Sequence, residues 1–213
     1  VVERNKSDDT FGWGVVFSDH TMERLQANDT RSADWILDQF AHWDDIEVHY
    51  RNQVIRSRGH GFSGLGRQRL LHLLQKRALE LGVKLHFEHE IQNLDQFKDA
   101  DLIVACDGIN SWIRDEHAEH FQPDIDVRSN RFVWLGTNKV FEAFTFIFEP
   151  TEHGWIWAHA YRFDKDTSTF IIECTEKTLK GLGFDQMSQE ESIAAVSYTH
   201  LRAHETGRNL VCR

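Results

Sequence analysis

The chain has 213 residues, 40% of them hydrophobic and 27% charged, and a net charge of −10. The apolar content supports a packed core and excludes a disordered acidic tail, while the negative balance argues against duplex nucleic acid as a partner. Cys106 and Cys174 have no paired spacing, which excludes a disulfide framework and suits a reducing cytoplasm, and no segment is long and apolar enough to suggest a membrane span.

The first residues, Val1-Val2-Glu3-Arg4, read as the end of an apolar strand followed by an acid. They have the character of neither a signal peptide nor a natural N terminus. A dinucleotide-binding fold places a carboxylate at the end of its second strand, where it accepts hydrogen bonds from ribose hydroxyls; Glu3, with Arg4 beside it, is the candidate. That reading expects roughly 30 preceding residues carrying a first strand, a Gly-rich turn and a helix, the size of such a unit. Gly12-Trp13-Gly14 and Gly64-Leu65-Gly66 do not supply the turn, because neither has the third glycine in place.

From Arg67 to Leu81 the apolar positions Leu70, Leu71, Leu74, Ala78 and Leu81 follow helical spacing, and Gly82 stops the helix. Val83, Leu85 and Phe87 then alternate as a strand. Arg67, at the helix start, is a candidate for meeting a phosphate. Ala100 to Arg114 is the most informative stretch. Leu102 to Cys106 form a continuous apolar run that predicts a buried parallel strand, Cys106 included. Asp107-Gly108 predicts a turn, after which Ser111 and Arg114 can cap a helix or reach a phosphate. His86 with His89 and His117 with His120 lack further ligands at metal spacing, so no metal is expected.

After about residue 127 the period changes to two. Phe144, Phe146 and Phe148 share one face of a strand, and Trp155, Trp157, His159, Tyr161 and Phe163 share one face of the next. Asp164-Lys165-Asp166 predicts the turn into a strand from Ser168 to Cys174. His159 is the one readily titrating group on that aromatic stripe and the sole candidate for a catalytic role. Val196 to Arg213 continues no helical or strand period and reads as a translated sequencing-library adapter. It carries three Arg and one Glu, so the balance without it is −12. The expected organisation is an α/β part over 1–126, an antiparallel sheet over 127–195, and a non-native tail over 196–213.

The strand, Asp107-Gly108 turn, Ser111 and Arg114 together resemble the Asp-Gly fingerprint of single-component FAD-dependent aromatic hydroxylases, the p-hydroxybenzoate hydroxylase class. Phe11 to Asp19, Phe132 to Thr137, Ala143 to Phe148 and Ala158 to Tyr161 are similar to the branch of salicylyl-CoA 5-hydroxylases and 2-aminobenzoyl-CoA monooxygenases. The Gly-Trp-Gly-Val-Val run is shared with violacein-pathway hydroxylases. The resemblance implies an incomplete FAD-binding fold of that class, α/β plus an antiparallel sheet that covers an aromatic substrate. It implies FAD, NAD(P)H as reductant, O2, and an aromatic substrate carried as a CoA thioester. It places Glu3, Arg4, Trp13, Gly14, Val15, Arg67, Asp107, Gly108 and Arg114 beside the cofactor, with Trp13 to Val15 next to the flavin ring. A violacein-type hydroxylase, or a flavin-binding or reductase relative without oxygenase activity, is the alternative.

Overall fold

The computed structural model describes residues 1–188 and 190–194 and the backbone of 211–212. The strands are β1 (Gly14–Ser18), β2 (Ala41–Trp43), β3 (Ile46–Tyr50), β4 (Gln53–Ser57), β5 (Phe62–Gly66), β6 (Asn130–Thr137), β7 (Phe144–Thr151), β8 (Gly154–Arg162), β9 (Ser168–Thr175) and β10 (Val211–Cys212). They form a three-stranded sheet ordered β1-β5-β2 and a seven-stranded sheet ordered β10-β6-β9-β8-β7-β3-β4.

The period-two pattern decides the large sheet. In β7, β8 and β9 alternate residues Ile147, Ile156, Ala158, Ala160, Phe170 and Ile172 point to one face and are buried there with Leu135, Phe141 and Cys174. A short helix over Glu176–Gly181, capped by Thr175, and the 3-10 turn after it close that face with Leu179, Leu182 and Phe184. The opposite face carries Phe144, Phe146, Phe148, Trp157 and His159, all half-buried. The expected turn is present: Asp164 Oδ1 accepts from the backbone of Asp166 and Thr167 at 2.8 and 2.7 Å, returning the chain from β8 to β9.

A second cluster of Met22, Ala33, Ile36 and Leu65 lies between the small sheet and helices α1 (Asp19–Asn28), α2 (Thr30–Leu37) and α3 (Arg67–Glu80), with Leu70 and Leu73 of α3 packed against it. The expected helix at Arg67 and its stop at Gly82 are both found; Gly82 has φ +78°, the left-handed conformation a helix terminator requires. Asp29 caps α2 and takes a bidentate ion pair from Arg77 of α3, Nε to Oδ2 at 2.9 Å and Nη2 to Oδ1 at 3.0 Å. The Arg77 guanidinium and the Ser32 hydroxyl hold the Asp29 carboxyl down to about 2. Because the folded-state value is depressed, this contribution is present above pH 4 and is lost as pH falls from there toward 2. In an acid titration of the unfolding temperature, Asp29→Asn is therefore expected to lower stability at pH 7 and to flatten the decline between pH 4 and 2. An unchanged acid limb in the variant would remove Asp29 as its source.

Four expectations are corrected. Leu102 to Cys106 form no strand: Leu102 and Val104 are 79% and 72% exposed, and Cys106 is exposed rather than buried. A parallel strand needs hydrogen-bonded neighbours on its edges, and no described strand pairs with this run. Val83 to Phe87 is reduced to a single parallel bridge, Val2 to His86, for the same want of further neighbours. The large sheet is not confined to residues after 127, since β3 pairs in parallel with β7 and carries the β3-β4 hairpin with it. The C-terminal tail lies outside the described residues except for the backbone of β10, which adds two residues antiparallel to Leu135 and Gly136 of β6 where no strand was expected.

Candidate active site

The proposed cofactor residues fall into three groups. Glu3 follows the bridge residue Val2, its N–H donating to the His86 carbonyl at 2.8 Å, while its carboxylate accepts from the backbone and side-chain nitrogens of Asn5, each at 2.7 Å. Arg4 beside it is exposed. Residues 7 and 8 lean on α3 through Gln75 and His72, at 2.8 and 2.9 Å, so this corner is tied to the helix that Arg67 begins.

The second group gathers Trp13, Gly14, Val15 and Arg67. The Arg67 N–H donates to the Trp13 carbonyl at 2.9 Å, joining the Gly12–Gly14 loop to the start of α3. The loop is then locked to the large sheet by two tryptophans on two glycines. A Cβ on Gly136 of β6 would lie 2.5 Å from the Trp13 indole, and one on Gly12 would lie 2.8 Å from the Trp134 indole. The Arg67 guanidinium stands 5.1 Å from the centre of the Trp134 ring. Gly14, at the outer edge of the small sheet, is buried and has no strand neighbour on that side among the described residues. Its N–H donates to Thr169 Oγ1 and its carbonyl accepts from the Tyr161 hydroxyl, both at 3.0 Å. Buried backbone groups without partners would cost about 1–3 kcal/mol, so these two side chains complete an edge that another strand would otherwise have to pair. Val15 packs against the second cluster and pairs with Leu65.

The third group is the Asp107-Gly108 turn. Gly108 has φ +87° and open space where a Cβ would stand, so the turn requires glycine for its backbone and leaves its surface clear. Asp107 accepts from the Ser111 hydroxyl at 2.6 Å, which holds its carboxyl below the usual range. Ser111 Oγ in turn caps α4 (Trp112–Glu116) by accepting from the Arg114 N–H at 3.0 Å. Arg114 is engaged with the Ile109 carbonyl and the Asp115 carboxylate, at 2.8 and 2.9 Å. Beside the turn lies a cavity of about 520 Å³ lined by Leu94, Ile103, Ile113, Arg114, His117 and Phe121.

His159 belongs to the half-buried aromatic face, with Phe146 and Phe144 ring centres 6.1 and 6.3 Å away and Glu173 3.9 Å from Nδ1. Burial pushes its imidazole below the ordinary range, with Glu173 opposing, which favours the neutral ring, with one nitrogen to donate and one to accept a hydrogen bond. Sequence reasoning missed Trp134, Gly136 and Thr169 as parts of the site, and placed Tyr161 on the aromatic stripe without its bond to Gly14. The available signal was Gly136, an isolated glycine within a strand pattern, which marks a close approach.

No family model matches the chain. It is 40% identical over 185 residues to a salicyloyl-CoA 5-hydroxylase from a Streptomyces species, covering 87% of this chain and 36% of that protein. It is 29% identical over 214 residues to protodeoxyviolaceinate monooxygenase from Chromobacterium violaceum, covering 96% of this chain and 56% of the relative. The chain thus spans between about a third and just over half of these curated relatives. Its fold matches that of PqsL, a probable FAD-dependent monooxygenase from Pseudomonas aeruginosa, with TM-score 0.61 and 13% identity over 94% of this chain and 64% of that one. The p-hydroxybenzoate-hydroxylase-like architecture expected from the Asp107-Gly108 segment is therefore present in part, and over most of its length the chain is similar to aromatic hydroxylases and monooxygenases of which it spans only a part.

Proposed function

We propose that the chain is part of a flavoprotein that hydroxylates an aromatic ring carried as a CoA thioester, using FAD, NAD(P)H and O2 in a reducing cytoplasm. The observation that carries this reading is the 40% identity to the Streptomyces salicyloyl-CoA 5-hydroxylase over most of the chain. Among the described residues no helix is long and apolar enough to cross a membrane. In this reading residues 1–126 supply the cofactor side, and 127–195, joined by the β3-β4 hairpin, supply the wall over the substrate.

The residues fit the cofactor. An ionised Asp107 beside an unobstructed Gly108 gives a polar turn that a dinucleotide can approach closely, and the neighbouring cavity is largely apolar. Glu3 and Arg4 would hold the ribose end, Arg67 and Arg114 the diphosphate, and Trp13 to Val15 the flavin side. Arg67 and Arg114 would exchange their present partners, the Trp134 ring and the Ile109 and Asp115 oxygens, for phosphate. When bound, FAD supplies electron transfer from the nicotinamide and delivery of one oxygen atom of O2 to the ring. The chain's own task is to orient that ring and exclude water. Phe144, Phe146, Phe148 and Trp157 offer the flat surface for it, and neutral His159 can hydrogen-bond a ring hydroxyl or amine.

In the full-length gene product, Asp107→Ala is expected to purify with several-fold less FAD, or to reduce its flavin several-fold more slowly, than the parent. Flavin content from the visible absorbance and stopped-flow reduction by NAD(P)H measure both. Full flavin content together with an unchanged reduction rate would reject the assignment.

A further inference from the structure

We propose that Tyr161 is a positioning residue that couples occupation of the aromatic sheet face to the Gly12–Gly14 loop, an inference that rests on the hydroxylase reading above. Tyr161 faces both ways. On β8 it lies two residues from His159 on the same face, and its ring meets Phe144 edge-on at 5.5 Å and 79°. Phe144 in turn packs against Phe146 at 4.6 Å and against His159 at 6.3 Å. The other neighbour of Tyr161 is Trp43, stacked at 6.3 Å and 17°. Its hydroxyl then leaves the sheet and donates to the Gly14 carbonyl.

Thr169 is the direct ladder partner of Tyr161, and it accepts from the N–H of the same glycine. One cross-strand pair of the large sheet thereby grips both polar groups of one residue in the small sheet. Gly14 has no side chain, so this grip acts on the backbone alone. Trp13 seated on Gly136, and Trp134 seated on Gly12, make the loop move with it rather than flex around it. A planar ring pressed onto Phe144, Phe146 and His159 pushes on the ring of Tyr161. Any shift of Tyr161 must strain or release the bond to Gly14, because the hydroxyl is the last atom of a rigid side chain. Substrate occupancy therefore has a short, packed route to the loop assigned to the flavin, and Tyr161 is its narrowest point.

Tyr161→Phe removes the hydroxyl and leaves the ring. In the FAD-loaded full-length protein, saturating salicyloyl-CoA should perturb the visible spectrum of the bound flavin. In Tyr161→Phe the amplitude of that difference spectrum, per bound flavin, should fall about fivefold or more, the lower end of ordinary coupling between sites, with the titration midpoint within about twofold. Thr169→Val should act in the same direction, and Thr169→Ser, which keeps the acceptor, should restore the parental amplitude. A parental amplitude in Tyr161→Phe overturns the proposal. So does a loss of amplitude that only follows a loss of affinity, or one matched by Thr169→Ser. A parent that binds FAD and the thioester without any spectral change overturns the coupling alone; a parent that binds neither overturns the hydroxylase reading with it.

Discussion

Truncating Phe170 to alanine is expected to destabilise the protein by about 3–5 kcal/mol, the range for removing a fully buried aromatic ring. Phe170 lies on β9, an interior strand between β6 and β8, is 1% exposed and stacks against Phe141 at 6.1 Å and 28°. Its neighbours Leu135, Ile147, Ile156, Ala158 and Ile172 belong to a hydrogen-bonded sheet, whose backbone cannot collapse into the vacated volume, so most of the cavity would persist. Phe170→Leu, which keeps most of the volume, should cost less than about 1.5 kcal/mol. Val104→Ala serves as the contrast: at 72% exposure it should change stability by no more than about 0.5 kcal/mol. Urea unfolding followed by circular dichroism would rank the three. Equal losses at Phe170 and Val104 would mean that the run at Leu102 to Cys106 is buried after all.

That contrast marks what was legible in the sequence. Phe170 and Val104 both sit in apolar runs of strand-like composition, and nothing within either run says which one finds neighbours. For Phe170 the alternation in Trp155 to Phe163 announced the adjacent strand β8, that in Phe144 to Phe148 announced β7 beyond it, and the Asp164 turn set the register. The strands needed to pair with Leu102 to Cys106 are not among the described ones, so a correct local preference yields an exposed segment. Helix α3 was readable because its signals are local: helical spacing, then a glycine at its stop. The β3-β4 hairpin was not. Its turn residues Arg51 and Asn52 hold φ +47° and +64°, and only the second has a side chain that favours such values. The parallel pairing of β3 with β7 joins residues nearly a hundred positions apart and leaves no local trace. In the candidate site, the glycines and Arg67 could be picked out from residue type. Their partners Trp134 and Thr169 could not, because each looks like ordinary strand filling until the sheet brings it to the loop, and Tyr161 stood out as a member of the aromatic stripe, not as a partner of Gly14.

Gly14→Ala tests that last point by a single methyl group. The added Cβ would stand 2.6 Å from Phe163 Cβ and 2.7 Å from its Cγ and Cδ1. Those are the root atoms of a side chain that is itself 8% exposed, so they cannot swing clear as the tip of a flexible chain could. Either β1 retreats or the end of β8 does. A retreat strains the 3.0 Å bonds to Tyr161 and Thr169, adding the cost of at least one weakened buried bond to that of the overlap. Overpacking alone costs about 1–3 kcal/mol, and one strained buried bond adds about 1 kcal/mol or more, so a loss of about 2–4 kcal/mol is expected. The entropy that alanine removes from the unfolded chain returns only about 0.4–1 kcal/mol and leaves the sign unchanged. Gly66, directly across the ladder from Gly14, is the control. A Cβ there would meet Phe163 at an ordinary 3.7 Å, and the residue has φ −60°. Gly66→Ala should therefore lose only what alanine costs at a helix start, about 1 kcal/mol or less. If the two alanine variants unfold at the same denaturant concentration, the close seat of Gly14 against Phe163 is refuted, and the hold of β8 and β9 on the Gly12–Gly14 loop with it.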